Sequence, residues 1–220
     1  MSKSVLKVIA LDFDGTLVVS NAIKDRAFET IFSNWPEHKE AMLAWHWPRN
    51  TVDRREKFRY FVEEVLRETN NVNMIDELTE RFSALTRQAI IDCPWVRGAP
   101  DFLDYFKDKL PLYLVSATPQ EELNEILANR GIADRFQQSY GAPLDKMAVL
   151  QAIMKSKQAS PAEMLYIGDS PEDQQAAQNL AVHFIGVDSG RGLKSGGPFI
   201  MNEFQSILQI IVKNYEFVQG

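Results

Sequence analysis

Two aspartates one residue apart, Asp12 and Asp14, close an apolar run and open a glycine turn, Asp12-Phe-Asp-Gly-Thr16. Carboxylates held this close repel each other, so such a pair is costly unless a cation or a reaction uses it. Three chemistries compete. A calcium loop of the EF-hand type begins Asp-x-Asp but needs a glutamate at its twelfth position; Ile23 stands there, which excludes it. A strand-end turn in which Asp14-Gly15 merely reverses the chain is open. So is a site in which one carboxylate binds metal and attacks a substrate.

The other apolar runs end in residues of complementary type. Leu112-Tyr-Leu-Val115 ends in Ser116-Ala-Thr118, Met164-Leu-Tyr-Ile167 ends in Gly168-Asp-Ser170, and Val182-His-Phe-Ile-Gly-Val187 ends in Asp188-Ser-Gly190. Ser116 offers a hydroxyl beside a helix start with spare backbone N–H groups. Asp169 adds a carboxylate, with Asp173 one helical turn on, and Lys146 adds a positive charge at the head of a helical stretch. Magnesium prefers carboxylates and phosphate oxygens to an all-protein cage. A phosphoryl group in transfer needs cations and donors around its equatorial oxygens.

These residues need strands to carry them. Val5 to Leu11 is β-branched and apolar, as expected of a buried strand. Strands alternating with helices predict a parallel α/β sheet. Thr118-Pro-Gln-Glu121 and Ser160-Pro-Ala-Glu163 read as capping boxes with proline at the first helical position, and Ser170-Pro-Glu-Asp173 as a near variant. Residues 19–91 differ. Phe58, Phe61, Val62, Val65 and Leu66 form one helical stripe, and Ile75, Leu78, Phe82, Leu85 and Ala89 a second, with a turn at Asn70-Asn-Val-Asn73 between them. The expected fold is a doubly wound, mostly parallel α/β core, residues 1–18 and 92–220, interrupted by a helical cap at 19–91.

Composition narrows the class. The 220 residues are 45% hydrophobic and 25% charged, with 24 basic against 30 acidic side chains and a net charge of −6. That is an ordinary globular composition, and it argues against broad electrostatic binding of nucleic acid. The single cysteine, Cys93, excludes an intrachain disulfide or a multi-cysteine zinc site and fits a reduced, cytoplasmic setting. No run is long enough to span a membrane, and the N-terminal run lacks the features of a signal peptide.

In order, Asp12-Phe-Asp-Gly-Thr16, the run into Ser116, Lys146 and Gly168-Asp-Ser-Pro-Glu-Asp173 resemble the four motifs of the haloacid dehalogenase superfamily. The insert resembles its helical cap of the first type, as in the phosphoglycolate phosphatase and β-phosphoglucomutase branch. The resemblance implies a Rossmann-like core and a magnesium-dependent phosphatase acting on a small phosphorylated metabolite. By the same resemblance Asp12 is the nucleophile, forming an aspartyl-phosphate. Asp14 protonates the leaving oxygen and then activates water. Ser116, Ala117 and Lys146 hold the phosphoryl group. Asp12, the backbone carbonyl of Asp14, and Asp169 bind Mg2+, with Asp173, Gly15 and Thr16 in support.

Departures sharpen the expectation. Asp14 is present where dehalogenases and phosphonatases lack an aspartate. Mutases of the branch carry a glutamate and a histidine where this chain has Gly168 and Lys24. Both favour hydrolysis over a sugar phosphomutase. Val19 replaces an aspartate familiar after the first motif. A catalytically idle binding domain is the other alternative, but no motif residue is lost.

Weaker signals complete the reading. Gly190-Arg-Gly-Leu-Lys-Ser-Gly-Gly197 fits no phosphate-loop spacing and is expected to be a loop near the site, followed by an edge strand Phe199-Ile-Met201 and a last helix Glu203 to Lys213. In the insert, Trp45, Trp47, Arg49 and Arg54 could read a leaving group, or could be packed cap core and a solvated face. A lone His46 warrants no metal role, and Cys93 is expected to be a packed linker residue. Nothing in the pattern chooses between a monomer and a homodimer.

Overall fold

The computed structural model describes residues 3–49, 52–143, 145–193 and 200–217, without the side chain of Ile200. The chain divides into two compact units, residues 1–19 with 93–220, and residues 20–92.

In the first unit six parallel strands form one sheet: β2 (Val8–Leu11), β3 (Leu112–Pro119), β4 (Gln138–Ala142), β5 (Met164–Gly168), β6 (His183–Val187) and β7 (Ile200–Met201). Their order is β4-β3-β2-β5-β6-β7. From β2 the chain builds outward on one side, then returns to build the other, so the sheet reverses direction at β2. Crevices at the carboxyl ends of strands beside such a reversal are where ligands bind in open α/β sheets. The central strands are buried on both faces, which is why they read as unbroken apolar runs rather than alternating ones. On one face Val8, Ala10, Tyr113, Val115, Met164 and Tyr166 pack against Leu150, Ile153 and Met154 of α7 (Lys146–Ser156) and Ala176 and Ala177 of α8 (Pro171–Leu180). Helices α5 (Ala99–Phe106) and α9 (Phe204–Asn214) meet through the rings of Phe102 and Phe204.

Three expectations change here. The run Val5 to Leu11 is two strands, because Lys7 turns to Glu163, its N–H donating to the Glu163 carbonyl at 2.9 Å and its Nζ pairing with the carboxylate at 3.0 Å. Residues Ser4–Leu6 (β1) leave the main sheet and pair in parallel with Tyr215–Phe217 (β8). Thr118 caps no helix. Strand β3 continues to Pro119, and α6 (Gln120–Asn129) starts from Pro119 with no side-chain cap. The Ser160 capping box forms, but on the single 3-10 turn Pro161–Glu163 that feeds β5. The Ser170 box forms as read, at the start of α8. Of the loop beginning at Gly190 and the expected strand at Phe199, residues 194–199 lie outside the described residues.

The second unit holds α1 (Asn21–Phe32), α2 (Pro36–His46), α3 (Arg54–Tyr60), which continues into a π turn at Phe61–Val65, and α4 (Val72–Asp92). Phe28, Phe32, Phe58, Phe61 and Phe82 form its core. The stripe on α4 is buried at Ile75, Leu78 and Phe82, then runs through Thr86 and Ile90 rather than Leu85 and Ala89, which are exposed. Steps of four from Phe82 stay on the inner face, and Thr86 is tolerated there because its hydroxyl donates to the Phe82 carbonyl at 2.9 Å. Among the described residues no helix is long and apolar enough to cross a membrane.

Candidate active site

Asp12 leaves the carboxyl end of β2, the strand where the sheet reverses. Its N–H donates to the Ile167 carbonyl of β5 at 2.9 Å, which fixes it between the two strands. Gly15 follows at φ 76°, a left-handed conformation that glycine adopts without strain, and the chain turns back so that the Leu17 N–H reaches the Phe13 carbonyl at 2.8 Å. The Asp14-Gly15 turn therefore forms, and it leaves the Asp12 carboxylate buried among polar partners. Thr16 donates its hydroxyl to Asp12 Oδ2 at 3.2 Å.

Lys146 heads α7, where Asp145 caps the helix by accepting from the Met147 and Ala148 N–H groups. Its Nζ donates to Asp12 Oδ1 at 2.9 Å and to Asp173 Oδ1 at 2.6 Å. Asp173 is fully buried and already crowded with donors: Tyr166 Oη on Oδ1, and the Ser170 hydroxyl at 2.6 Å and N–H at 3.2 Å on Oδ2. Asp169 follows β5 and accepts the Ser189 hydroxyl at 2.5 Å. One carboxylate oxygen from each of Asp12, Asp169 and Asp173 lies within 4.8 Å of the others.

The electrostatics follow from this crowding. Burial pushes the Asp12 carboxyl up to about 8; the Lys146 ammonium opposes this, while the anionic Asp173 and Asp169 reinforce it. Burial also works against Asp173, but the Lys146 charge and the hydrogen bonds from Lys146, Ser170 and Tyr166 outweigh it and hold that carboxyl below its ordinary value. Burial alone would lower Lys146; Asp12 and Asp173 overcome it and keep the ammonium well above its usual range. With all three carboxyls ionised, the cluster carries two more negative charges than its one ammonium balances, an excess that the raised Asp12 carboxyl reflects. With hard oxygen donors and that excess, the cluster is of a type that holds a divalent cation. Asp173 is the most heavily bonded of the three, with four protein donors on its two oxygens against Thr16 and Lys146 on Asp12, so Asp12 and Asp169 are the better placed ligands.

On the far side of Asp12, β3 departs from its ladder. Val115 pairs with Tyr140 and Pro119 with Ala142, so four steps along β3 match two along β4. Such bulges re-aim side chains beside active sites. Here Ser116 is buried, with its hydroxyl accepting from the Thr118 N–H at 3.1 Å, Ala117 is exposed, and the Thr118 hydroxyl donates to Asp14 Oδ2 at 2.9 Å.

A family model described as haloacid dehalogenase-like hydrolase matches residues 9–187. The chain belongs to this family. A phosphoglycolate phosphatase from Photobacterium profundum is 26% identical over 117 residues, 49% of this chain and 51% of that protein. The chain thus spans about half the length of that curated relative. Among solved structures, a predicted phosphoglycolate phosphatase from Haemophilus somnus 129pt superposes with a TM-score of 0.73 at 17% identity, covering 93% of this chain and 97% of that one. A predicted phosphatase from Clostridium acetobutylicum gives 0.71 at 18% identity, over 96% and 100%. At such identities these two show a shared haloacid dehalogenase fold.

Of the residues singled out by sequence, Asp12, Asp173 and Lys146 form one bonded cluster with an Asp169 oxygen within 4.8 Å of those of Asp12 and Asp173, Thr16 bonds to Asp12, Asp14 is tied to β3, and Ser116 and Ala117 lie on the β3 bulge. Trp45, Trp47, Arg49 and Arg54 belong to the other unit. There Trp45 stacks on Tyr60 with ring centroids 4.1 Å apart, and Arg49 lies over the Trp45 ring. Trp47 is exposed. Arg54 is 7% exposed, packs over Phe82 and donates to the Ser83 hydroxyl at 2.8 Å, so it serves the interior of its own unit. Lys57 is also internal, 3.1 Å from His46 Nδ1, and His46 in turn faces Asp25. Cys93 is buried, with its carbonyl accepting from Arg130 at 3.0 and 3.1 Å.

Sequence reasoning misses three polar groups at the site. Thr118 reads locally as a helix cap. Tyr166 lies hidden in an apolar strand, where a lone phenol invites the question of its partner. Ser189 lies two residues beyond the end of β6, in the strand end Asp188-Ser-Gly190, where the strand-end rule would have found it.

Proposed function

We propose that the chain is a magnesium-dependent phosphatase that hydrolyses a small phosphate monoester through an aspartyl-phosphate on Asp12. The observation that carries this is the position of the Asp12 carboxylate at the reversal of the sheet, bonded to Lys146 and flanked by Asp169, in a cluster that, fully ionised, is two positive charges short of neutrality.

The chemistry divides into two displacements. An Asp12 oxygen attacks phosphorus, and the bond from phosphorus to the leaving oxygen breaks as Asp14 gives that oxygen a proton. Water then attacks the phosphorus of the acyl phosphate, Asp14 takes a proton from the water, and the Asp12 carboxylate is restored as inorganic phosphate leaves. Lys146, Ser116 and the exposed backbone at Ala117 bind the equatorial oxygens, and Lys146 also lowers the repulsion between Asp12 and an anionic substrate. Magnesium, held by Asp12, Asp169 and the Asp14 carbonyl, supplies charge neutralisation of the phosphoryl oxygens when bound. Asp173, Gly15 and Thr16 support these groups.

Gly168 supports hydrolysis over return of the phosphoryl group to a sugar. A Cβ at Gly168 would lie 2.6 Å from Asp173 Cβ, so the glutamate that mutases of the resembled branch carry there has no room.

The test is magnesium-dependent release of phosphate from p-nitrophenyl phosphate, with a panel of phosphorylated acids, sugars and nucleotides headed by phosphoglycolate, the substrate in the relative's name. Asp12→Asn is expected to lower turnover by about 10³-fold or more, the order seen when a covalent nucleophile is removed. A wild-type protein that binds magnesium yet turns over no phosphate ester would overturn the reading, and activity only in the presence of a sugar bisphosphate would replace it with a mutase.

A further inference from the structure

Thr118 stands one bond away from the proton-transfer step. The opening Thr118-Pro-Gln-Glu121 has the composition of a capping box, yet α6 starts with no side-chain cap. The hydroxyl that would fill that role points the other way, across 104 residues of sequence, and donates to Asp14 Oδ2 at 2.9 Å. Thr118 is 1% exposed and Asp14 is half-buried, so the bond lies largely out of water. Its direction is built in by the bulge of β3, which sets four residues against two of β4 at this point, and by the Thr118 N–H, which is anchored on the Ser116 hydroxyl.

We propose that Thr118 is a positioning residue for Asp14, holding its carboxyl in the orientation from which it hands a proton to the departing oxygen. The proposal rests on the phosphatase reading and on Asp14 as its acid. The physical content is orientation: the hydroxyl ties Oδ2 to β3 and restrains rotation of the carboxyl about its last torsion. In the first displacement the Asp12–phosphorus bond forms, the phosphorus–leaving oxygen bond breaks, and the Asp14 proton moves to that oxygen, leaving Asp14 as a carboxylate that the Thr118 hydroxyl stabilises by a charge-assisted bond.

A leaving-group comparison tests this. The nitrophenolate of p-nitrophenyl phosphate departs without a proton, whereas the more basic phenolate of phenyl phosphate needs one. The quantity to compare is kcat/KM, which covers only steps through leaving-group departure and excludes the later attack by water. Thr118→Val is expected to lower kcat/KM for phenyl phosphate about tenfold more than for p-nitrophenyl phosphate, a fraction of what general acid catalysis supplies. Thr118→Ser, which keeps the hydroxyl, is expected to hold the ratio within about twofold of wild type, and Asp14→Asn to show the same split more strongly. Thr118→Ala carries the same comparison if the valine variant does not fold. Equal losses on both substrates, or none, in a Thr118 variant while Asp14→Asn shows the split would overturn the role of Thr118 and leave the phosphatase reading standing. No split in Asp14→Asn, or no hydrolysis by wild type, would overturn the reading and the proposal together.

Discussion

At the scale of single residues, Asp12 is an acid whose surroundings oppose its charge. Its carboxyl is raised from 3.8 to about 8 by burial and neighbouring carboxylates. A raised acid contributes stability that is complete below its unfolded value and is lost as pH climbs through its folded value. In the metal-free protein the Asp12 contribution is therefore present below 3.8 and gone above about 8. Asp173 runs the other way: held below its ordinary value, it stabilises above that value and ceases to do so on acidification. Thermal melts in chelator should show Asp12→Asn more stable than wild type at pH 8, by roughly 1–3 kcal/mol, since the bonds from Lys146 and Thr16 only partly offset the cost of burying the charge. The gap should close toward pH 4; a gap independent of pH would contradict the placement of charge. Tyr166→Phe removes one donor from Asp173 and should cost about 1–3 kcal/mol in denaturant melts, far above the effect of a surface tyrosine. The main carboxylates and the lysine were legible in the sequence because charged residues closing apolar runs are conspicuous. Thr118 was not, because a threonine before Pro-Gln-Glu satisfies a local rule, and only the tertiary bulge reveals that the rule was not followed.

At the scale of elements, the joint between β5 and α8 leaves no room for a side chain at Gly168. Gly168→Ala puts a methyl 2.6 Å from Asp173 Cβ and Cγ, so the first turn of α8 must shift. The expected cost is about 1–3 kcal/mol from overpacking, together with loss of activity as Asp173 releases Lys146; a melt and an assay of the same preparation read both. On α4 the inner face predicts opposite outcomes for neighbouring apolar residues. Leu85→Gln should change stability by less than about 0.5 kcal/mol, whereas Ile90→Ala should cost about 2–4 kcal/mol. The sequence stripe misplaced its last two members because leucine and alanine outrank threonine on any hydropathy scale, while burial of Thr86 depends on a hydrogen bond to its own helix. Strand β4 went unrecognised for a related reason. Gln138-Ser-Tyr-Gly-Ala142 is an edge strand, half exposed and mostly polar, and lacks the signature that marked the buried strands. The short strand β8 lies past the expected end of the last helix at Lys213 and went unread, since its partner is Ser4–Leu6 at the far end of the chain.

At the scale of the whole molecule, the net charge of −6 is spread over 30 acidic and 24 basic groups, yet the deficit that matters is local to one sheet edge. A cation that binds only the folded chain stabilises all of it by mass action. Magnesium at about a hundred times its dissociation constant should add about 2.7 kcal/mol, or roughly 5–10 °C in the melting midpoint, and this gain should vanish in Asp169→Asn. The alternation of strands and helices made the α/β class legible, but it carries no information on which strand pairs with which, and the order β4-β3-β2-β5-β6-β7 emerges only in three dimensions. That order has a consequence in time. Strand β2 is made first and lies at the centre, yet its neighbours β3 and β5 follow it by roughly 100 and 150 residues. At ribosomal rates of about 5–20 residues per second, the apolar backbone of Val8–Leu11 waits roughly 5–20 s for its first neighbour and roughly 8–30 s for its second. Until β5 emerges Asp12 lacks Asp169, and Lys146 is made only shortly before that, so the helical unit is fully synthesised before the Asp12 carboxylate meets the charges that surround it in the folded chain.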